Sequence, residues 1–485
     1  MTRLSSNVIL LFTLQFIIIA NISIAQDKPR NDKPIRKDQN QKGKNKSDQK
    51  QNVDFSNISL KDNLILTRPT SNSITASIIT DKGNEVYIEY STQKGIYSNK
   101  SQLYKSDGNP IEIDLKNLNE NTRYYYKLNV SSKENTTANP ECSFHTKRNV
   151  NDSFEFTITA DSHLDQNTDL STYELTLKNA SKDSADFHID LGDTFMTDKY
   201  RENYKDAQMQ YYAQRYYFGL LCSSSALFLV LGNHDGESGQ QFKGNEDNMT
   251  VWSNQTRKRL FPNPFPDNFY SGNQSKENFV GQPQDYYAWE WGNSLFVVLD
   301  PFWYTPRSGS DNPWDRTLGK TQYDWLKSTL ESSKSKYKFI FIHNLVGGVD
   351  LKGKGRGGAE AADLFEWGGK NLDGTFGFET HRLGWEQPIH DLLVKHKVNI
   401  VFHGHDHLFA KQEKDGIIYQ CIPQPGSKER GNVKQAEEYS YLNGKIMNGA
   451  GYIRVSISPN QAKIDYLQTN TSSRSKEVVY SYTLN

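Results

Sequence analysis

A β-sandwich followed by an α/β domain is the fold class that this 485-residue sequence predicts. Three observations predict it. Short runs rich in β-branched and aromatic residues, separated by turn signals, occupy residues 55–148; from residue 151 strand-like runs alternate with segments of helical spacing; and five of those later runs stop abruptly at a short polar motif.

Ahead of the sandwich, residues 1–25 read as an export signal. Arg3 supplies positive charge, residues 8–19 are apolar apart from Thr13 and Gln15, and Ser23-Ile24-Ala25 is a small-x-small cleavage site. Cleavage after Ala25 and a secreted or periplasmic protein are the expectations. An uncleaved anchor would need about 20 apolar residues, so no transmembrane segment is expected once the signal is removed. Residues 26–54 are almost wholly Lys, Asp, Asn, Gln, Arg, Gly, Pro and Ser, a low-complexity flexible linker. Its alternative, a basic arm for an anionic surface, is weakened by the acids among its lysines. Over the whole chain 57 Lys and Arg balance 57 Asp and Glu, which gives no reason to expect a nucleic-acid partner. Cys142, Cys222 and Cys421 are far apart and lack metal-ligand spacing, leaving one disulfide or three small core residues as alternatives.

Within residues 55–148 the strand runs SITASII, EVYIEYS, IEIDL and YYYKLNV are divided by Asp-Lys-Gly-Asn, Asp-Gly-Asn-Pro and Asn-Glu-Asn turns. Residues 118–124 resemble the tyrosine corner of fibronectin type III-like domains, with Tyr124 as the tyrosine.

From residue 151 the runs FEFTIT, ADFHIDL, ALFLVL, YKFIFI and VNIVF lead into TADSH, LGDT, LGNHD, FIHN and FHGHDH. These motifs supply Asp161, His163, Asp193, Asn233, His343, His405 and His407, oxygen and imidazole donors that suit two divalent or trivalent cations side by side. Ligands of open α/β sheets gather at strand carboxyl ends, so strand-then-donor repeated five times places the set along one rim. STYELTLKNASKDS, TQYDWLKSTLESS and WEQPIHDLLVKHK have helical spacing. QDYYAWEWGNSLFVVLD reads as a hairpin turning at Gly292-Asn293, its aromatics either core or a ring-binding box. After His407, GIIYQCI, YIRVSIS and AKIDYLQ return to strands, as a second sheet facing the first would require.

In that order the motifs resemble the calcineurin-type metallophosphoesterases, whose pattern runs D-x-H, GD, GNH[DE], H, GHxH; none of the five elements is missing. The resemblance implies a four-layer αββα metallophosphoesterase fold over residues 151–485, preceded by an amino-terminal domain similar to that of purple acid phosphatases. It implies that Asp161, His163, Asp193 and His407 hold one metal and that Asn233, His343, His405 and the shared Asp193 hold the other, with two transition-metal ions (Fe, Mn or Zn) as cofactors. A hydroxide bridging the ions would attack phosphorus in line. His234 would protonate the leaving oxygen or hold a phosphoryl oxygen, while Asp235 either orients its imidazole or caps the turn. In purple acid phosphatases a tyrosinate follows the bridging aspartate by three residues; that position here is Met196, so no tyrosinate is expected there.

Two loops are expected to govern substrate choice. Residues 347–358 hold six glycines with Lys352, Lys354 and Arg356, and Arg356 is a candidate substrate contact if the loop closes over a phosphate. Residues 236–284 are long, polar and turn-rich. The reading is an exported phosphomonoesterase acting on a small phosphate ester. Its alternatives are a phosphodiesterase on nucleotides or lipid head groups, and a non-catalytic surface binding protein on a dead phosphoesterase scaffold.

Overall fold

The computed structural model describes residues 55, 58–200, 203–306, 312–350, 354–428 and 433–484. The expected signal peptide, the linker over residues 26–54 and Lys352 lie outside the described residues.

All five motif-bearing runs are strands, at Phe154–Thr159, Phe187–Asp190, Ala226–Leu229, Tyr337–Phe341 and Ile400–His403. The first three are parallel neighbours in a nine-stranded sheet, with Thr159 opposite Asp190 and Asp190 opposite Leu229. The last two are parallel neighbours in an eight-stranded sheet, with Phe341 opposite Phe402. In each sheet the parallel strands therefore end at the same level, which is where side chains from successive loops meet.

Large aromatic side chains join the two sheets face to face. Phe228 stacks on Trp289 with ring centroids 4.1 Å apart, and Phe156 meets Phe296 edge-on at 5.2 Å. Trp289 and Trp291 are buried here, so the aromatics of the hairpin Tyr287–Trp291 and Ser294–Val298 are core. Gly292 turns that hairpin at φ 58°, where a Cβ would come within 2.6 Å of the Phe154 ring. Leu170–Ala180 and Tyr204–Cys222 cover the outer face of the first sheet, through Tyr173, Leu177, Tyr211 and Phe218 against Leu227 and Leu229. Lys320–Ser332 and Ile389–Lys395 cover the second, through Leu326, Leu330 and Leu392 against Val297, Ile340 and Val401. The layers run helix, sheet, sheet, helix.

Sequence and structure differ in three places. Ile417–Cys421 joins the second sheet as expected, but Gly451–Ile457, Ala462–Asn470 and Ser475–Leu484 return to the first sheet, antiparallel to Phe154–Thr159 and onward to its edge. The 19-residue helix Tyr204–Cys222 has no clean apolar stripe, because Gln210, Gln214 and Arg215 are among its buried residues. The polar stretch 236–284 contains the helix Met249–Leu260, whose buried Arg257 is paired with buried Glu237 (Nε to Oε1, 2.5 Å). Polar residues that look like loop from sequence are here satisfied inside.

The amino-terminal β-rich region has Ile74–Ile79 paired with Ile111–Leu115 in one sheet, and Glu85–Ser91 with Arg123–Ser131 in another. The Tyr124 hydroxyl accepts the Asn119 backbone N–H at 2.8 Å, the bond a tyrosine corner requires. Its first strand, Asn63–Thr67, runs parallel to Ala226–Leu229, Thr67 opposite Leu227, so the nine-stranded sheet extends from one region into the other. Buried Arg215 ties the junction. Its guanidinium donates to Asn63 Oδ1 at 2.8 Å and to the carbonyls of Ser77 and Leu260. Arg215→Ala would take this donor from two buried carbonyls and from the half-buried Asn63 Oδ1, at about 1–3 kcal/mol for each buried acceptor left unrelieved, and a loss of roughly 3 kcal/mol in urea unfolding is expected. Arg215→Lys should recover little, because an ammonium cannot fork to three acceptors. A loss below about 1 kcal/mol for Arg215→Ala would show that the junction does not depend on this side chain.

Candidate metal centre

Every predicted donor lies two to four residues beyond a strand's carboxyl end. The turns that follow are unusual in backbone: Asp161, His163, Asp193, His405 and His407 all have positive φ, between 51° and 71°. Non-glycine residues rarely take this conformation, and its concentration in five of seven predicted donors marks a site where side-chain direction outweighs backbone comfort. Gly192 and Gly232 let two of the turns touch, since a Cβ on Gly232 would lie 2.0 Å from the Asp193 nitrogen.

The donors form two groups. Donor atoms of Asp161, His163 and His407 all lie within 4.8 Å of one another, and so do those of Asp193, His343 and His405. Backbone N–H groups fix the carboxylates: His405 N–H donates to Asp161 Oδ2 at 2.9 Å and His234 N–H to Asp193 Oδ1 at 2.8 Å. The remaining oxygen of Asp193, Oδ2, lies 3.4 Å from His163 Nε2 in the first group and 3.3 Å from His343 Nε2 in the second. One oxygen thus faces both groups.

Hydrogen bonding tests whether these residues fit cations. Asp161 Oδ1, His163 Nε2, Asn233 Oδ1, His343 Nε2 and both ring nitrogens of His405 are buried without a hydrogen-bond partner. Leaving one such atom unpaired costs about 1–3 kcal/mol, so several converging on one space fit metal ions that would satisfy them together. His343 Nδ1 lies 2.8 Å from the Leu191 carbonyl. A carbonyl only accepts, so Nδ1 carries a proton and Nε2 is the ring atom left to face Asp193. Burial, and then the Arg356 charge, hold His405 well below the usual imidazole range, keeping it a neutral donor. Burial alone would raise the Asp193 carboxyl, but His343, His234 and His163 hold it well below the usual range. All seven donors are nitrogen or oxygen, a set that accepts iron, manganese or zinc.

His234 stands beside this centre with Nε2 4.0 Å from Asp193 Oδ2, and its Nδ1 is 2.8 Å from Asp198 Oδ2. Asp198 also donates its backbone N–H to the His234 carbonyl at 3.2 Å. Asp235, which from sequence either orients this imidazole or caps the turn, makes its bonds away from the ring. Its Oδ1 accepts the Phe195 N–H and its Oδ2 the Gly232 N–H, both at 2.7 Å, so it closes the turn. Sequence reasoning missed Asp198, which sits in the one-turn helix Thr197–Tyr200 five residues past Asp193 and outside any motif.

Asn233, His234 and His405 line a cleft of about 330 Å³ together with Arg316, Lys354 and Arg356. The Arg356 guanidinium donates to the His405 carbonyl and to Asp406 Oδ1 (3.1 Å) and lies 4.5 Å from the Tyr439 ring centroid. It is held at the cleft by partners of its own. Met196 is buried and its N–H donates to Gln210 Oε1 at 2.6 Å. Concentrated, iron-loaded protein is therefore expected to lack an intense visible charge-transfer band. A band that moves when a tyrosine is substituted would show that a phenolate reaches the centre from elsewhere.

Comparison with known proteins bears on the whole arrangement. The profile of one family, described as calcineurin-like phosphoesterase, matches residues 154–409. No curated protein matches the chain. Among solved structures it is similar to the structure of PhoD, with TM-score 0.62 and 14% identity over 87% of this chain and 90% of that one. It is also similar to purple acid phosphatase PPD1 from yellow lupin (Lupinus luteus) seeds, with TM-score 0.57 and 16% identity over 87% of this chain and 73% of that one. At such identities these likenesses concern the fold.

Proposed function

The chain belongs to the calcineurin-like phosphoesterase family, and from that premise we propose that it is an exported phosphomonoesterase with a two-metal centre, residues 55–148 forming a sandwich domain and 151–485 the catalytic domain. The observation that carries the reading is the gathering of Asp161, His163 and His407, and of Asp193, His343 and His405, into two adjoining groups in which buried donor atoms of Asp161, His163, His343 and His405 have no hydrogen-bond partner. Asp161, His163, Asp193 and His407 would hold one ion; Asp193, Asn233, His343 and His405 would hold the other. Bound there, the ions supply Lewis acidity toward a phosphoryl group and activation of water.

The chain's own residues do the rest. Asp198 fixes the His234 ring by Nδ1, so that Nε2 is the atom free to carry a proton toward the cleft. Lys354 and Arg356 place positive charge beside it, suited to an ester that keeps two negative charges on its phosphoryl group. That charge favours a monoester over a diester, which carries one. The five orphaned donors also weigh against a dead scaffold, which has no use for costly unpaired groups. Export rests on residues 1–25; no helix among the described residues is long and apolar enough to cross a membrane.

The test is a panel of monoesters and diesters assayed with metal-loaded protein. Monoesters are expected to be hydrolysed with the higher kcat/KM. A reproducible preference for diesters would replace the proposal with the phosphodiesterase reading.

A further inference from the structure

We propose that buried Asp406 is a positioning residue for substrate binding: it holds the Arg356 guanidinium so that the edge formed by Nε and Nη2 meets the phosphoryl group in the cleft. The inference rests on the phosphoesterase reading and deepens it.

Asp406 stands between His405 and His407, which belong to the two metal groups, yet its own side chain joins neither. It is 1% exposed, and both its oxygens are spent on other partners. Oδ1 accepts from Arg356 Nη1 at 3.1 Å, while Oδ2 accepts the Gly357 N–H at 2.9 Å and the Tyr441 hydroxyl at 2.7 Å. A buried carboxylate persists only with such partners. The turn that carries two metal donors therefore also anchors the residues that carry Arg356.

The arginine is fixed from three sides. Its Nη1 donates to the His405 carbonyl as well as to Asp406, and the Tyr439 ring centroid lies 4.5 Å from the guanidinium carbon. These two bonds use both hydrogens of Nη1. Among the described residues Nε and Nη2 have no hydrogen-bond partner, although the side chain lines the cleft with Asn233, His234 and His405. In a planar guanidinium the Nε–H and one Nη2–H run parallel, and such a pair fits two oxygens of one phosphoryl group. An arginine free to rotate would lose that match.

Charge alone predicts the opposite effect. A carboxylate beside Arg356 offsets its positive charge and weakens its attraction for a phosphate, whereas orientation strengthens binding. Replacing Asp406 by its neutral isostere separates the two.

Titration of the metal-loaded full chain with inorganic phosphate, with metal content measured beside it, is the test. Arg356→Ala is expected to weaken phosphate binding roughly 10- to 100-fold, the scale of hydrogen bonds to a charged group, and Asp406→Asn on the order of tenfold, both at parental metal content. In the Arg356→Ala background Asp406→Asn should add nothing, because its effect passes through the arginine. KM for a nitrophenyl monoester should follow the phosphate constants while kcat changes less. Should Asp406→Asn not fold, Tyr441→Phe decides by the same comparison with and without Arg356, with a loss of about two- to fivefold expected from one neutral hydrogen bond. Tighter or unchanged phosphate binding in Asp406→Asn, the same loss with and without Arg356, or loss of metal from Asp406→Asn overturns the assignment. A metal-loaded parent that does not bind phosphate fails the phosphoesterase reading itself.

Discussion

Asp193→Asn is expected to empty both metal groups together and to lower monoester turnover by at least about 10²-fold, the scale of removing one preorganised electrostatic partner from an active site. The expectation follows from a single atom. Asp193 Oδ1 is occupied by the His234 N–H, which leaves Oδ2 within 3.4 Å of His163 on one side and 3.3 Å of His343 on the other. An amide there keeps the shape but removes the charge that balances two cations. His343→Ala is the matched control, because His343 belongs to one group only. That variant should keep the ion of the Asp161, His163 and His407 group while losing the other. Full occupancy in Asp193→Asn, or the same loss in both variants, would contradict the shared role.

The second large effect concerns the proton. If His234 Nε2 protonates the leaving oxygen, His234→Asn should slow alkyl phosphates by roughly 10²- to 10⁴-fold and nitrophenyl phosphates far less, since a nitrophenolate departs without a proton. Asp198→Asn should show the same leaving-group signature on a smaller scale, about 10- to 100-fold, because it changes the partner of Nδ1 and not the ring that carries the proton. Metal content should stay at the parental level in both. Uniform slowing of both ester classes would assign His234 to holding the phosphoryl group. An Asp198→Asn variant indistinguishable from the parent would mean that the 2.8 Å contact does not position the ring.

Much of this was legible in the sequence for a physical reason. A buried parallel strand is a short run of Val, Ile and Phe, and where it ends the chain must change residue type. Phe154–Thr159 before Asp161 and Ile400–His403 before His405 announce both the strand and the donor. Polar groups satisfied by distant partners were not legible. Arg215 and Gln214 break the apolar stripe of Tyr204–Cys222, yet both are buried, one on Asn63 and the other on Ser162 (2.6 Å). Asp198 reaches His234 because the Thr197–Tyr200 turn bonds back to the loop after Gly232, and Asp235 closes that loop on Gly232 and ties it to Phe195. Neither carboxylate's role follows from spacing, since each depends on which backbone N–H or ring nitrogen the folded loop presents. The return of Gly451–Ile457 to the first sheet was equally hidden: an alternating strand does not say which of two sheets it will join.

Elemental analysis of the purified full chain, with the Asp193→Asn variant beside it, tests the central claim most directly. About two transition-metal ions per chain are predicted for the parent, the stoichiometry of a two-metal site, and a loss of both in the variant. A parent that holds none even after supplementation with iron, manganese and zinc would contradict the account.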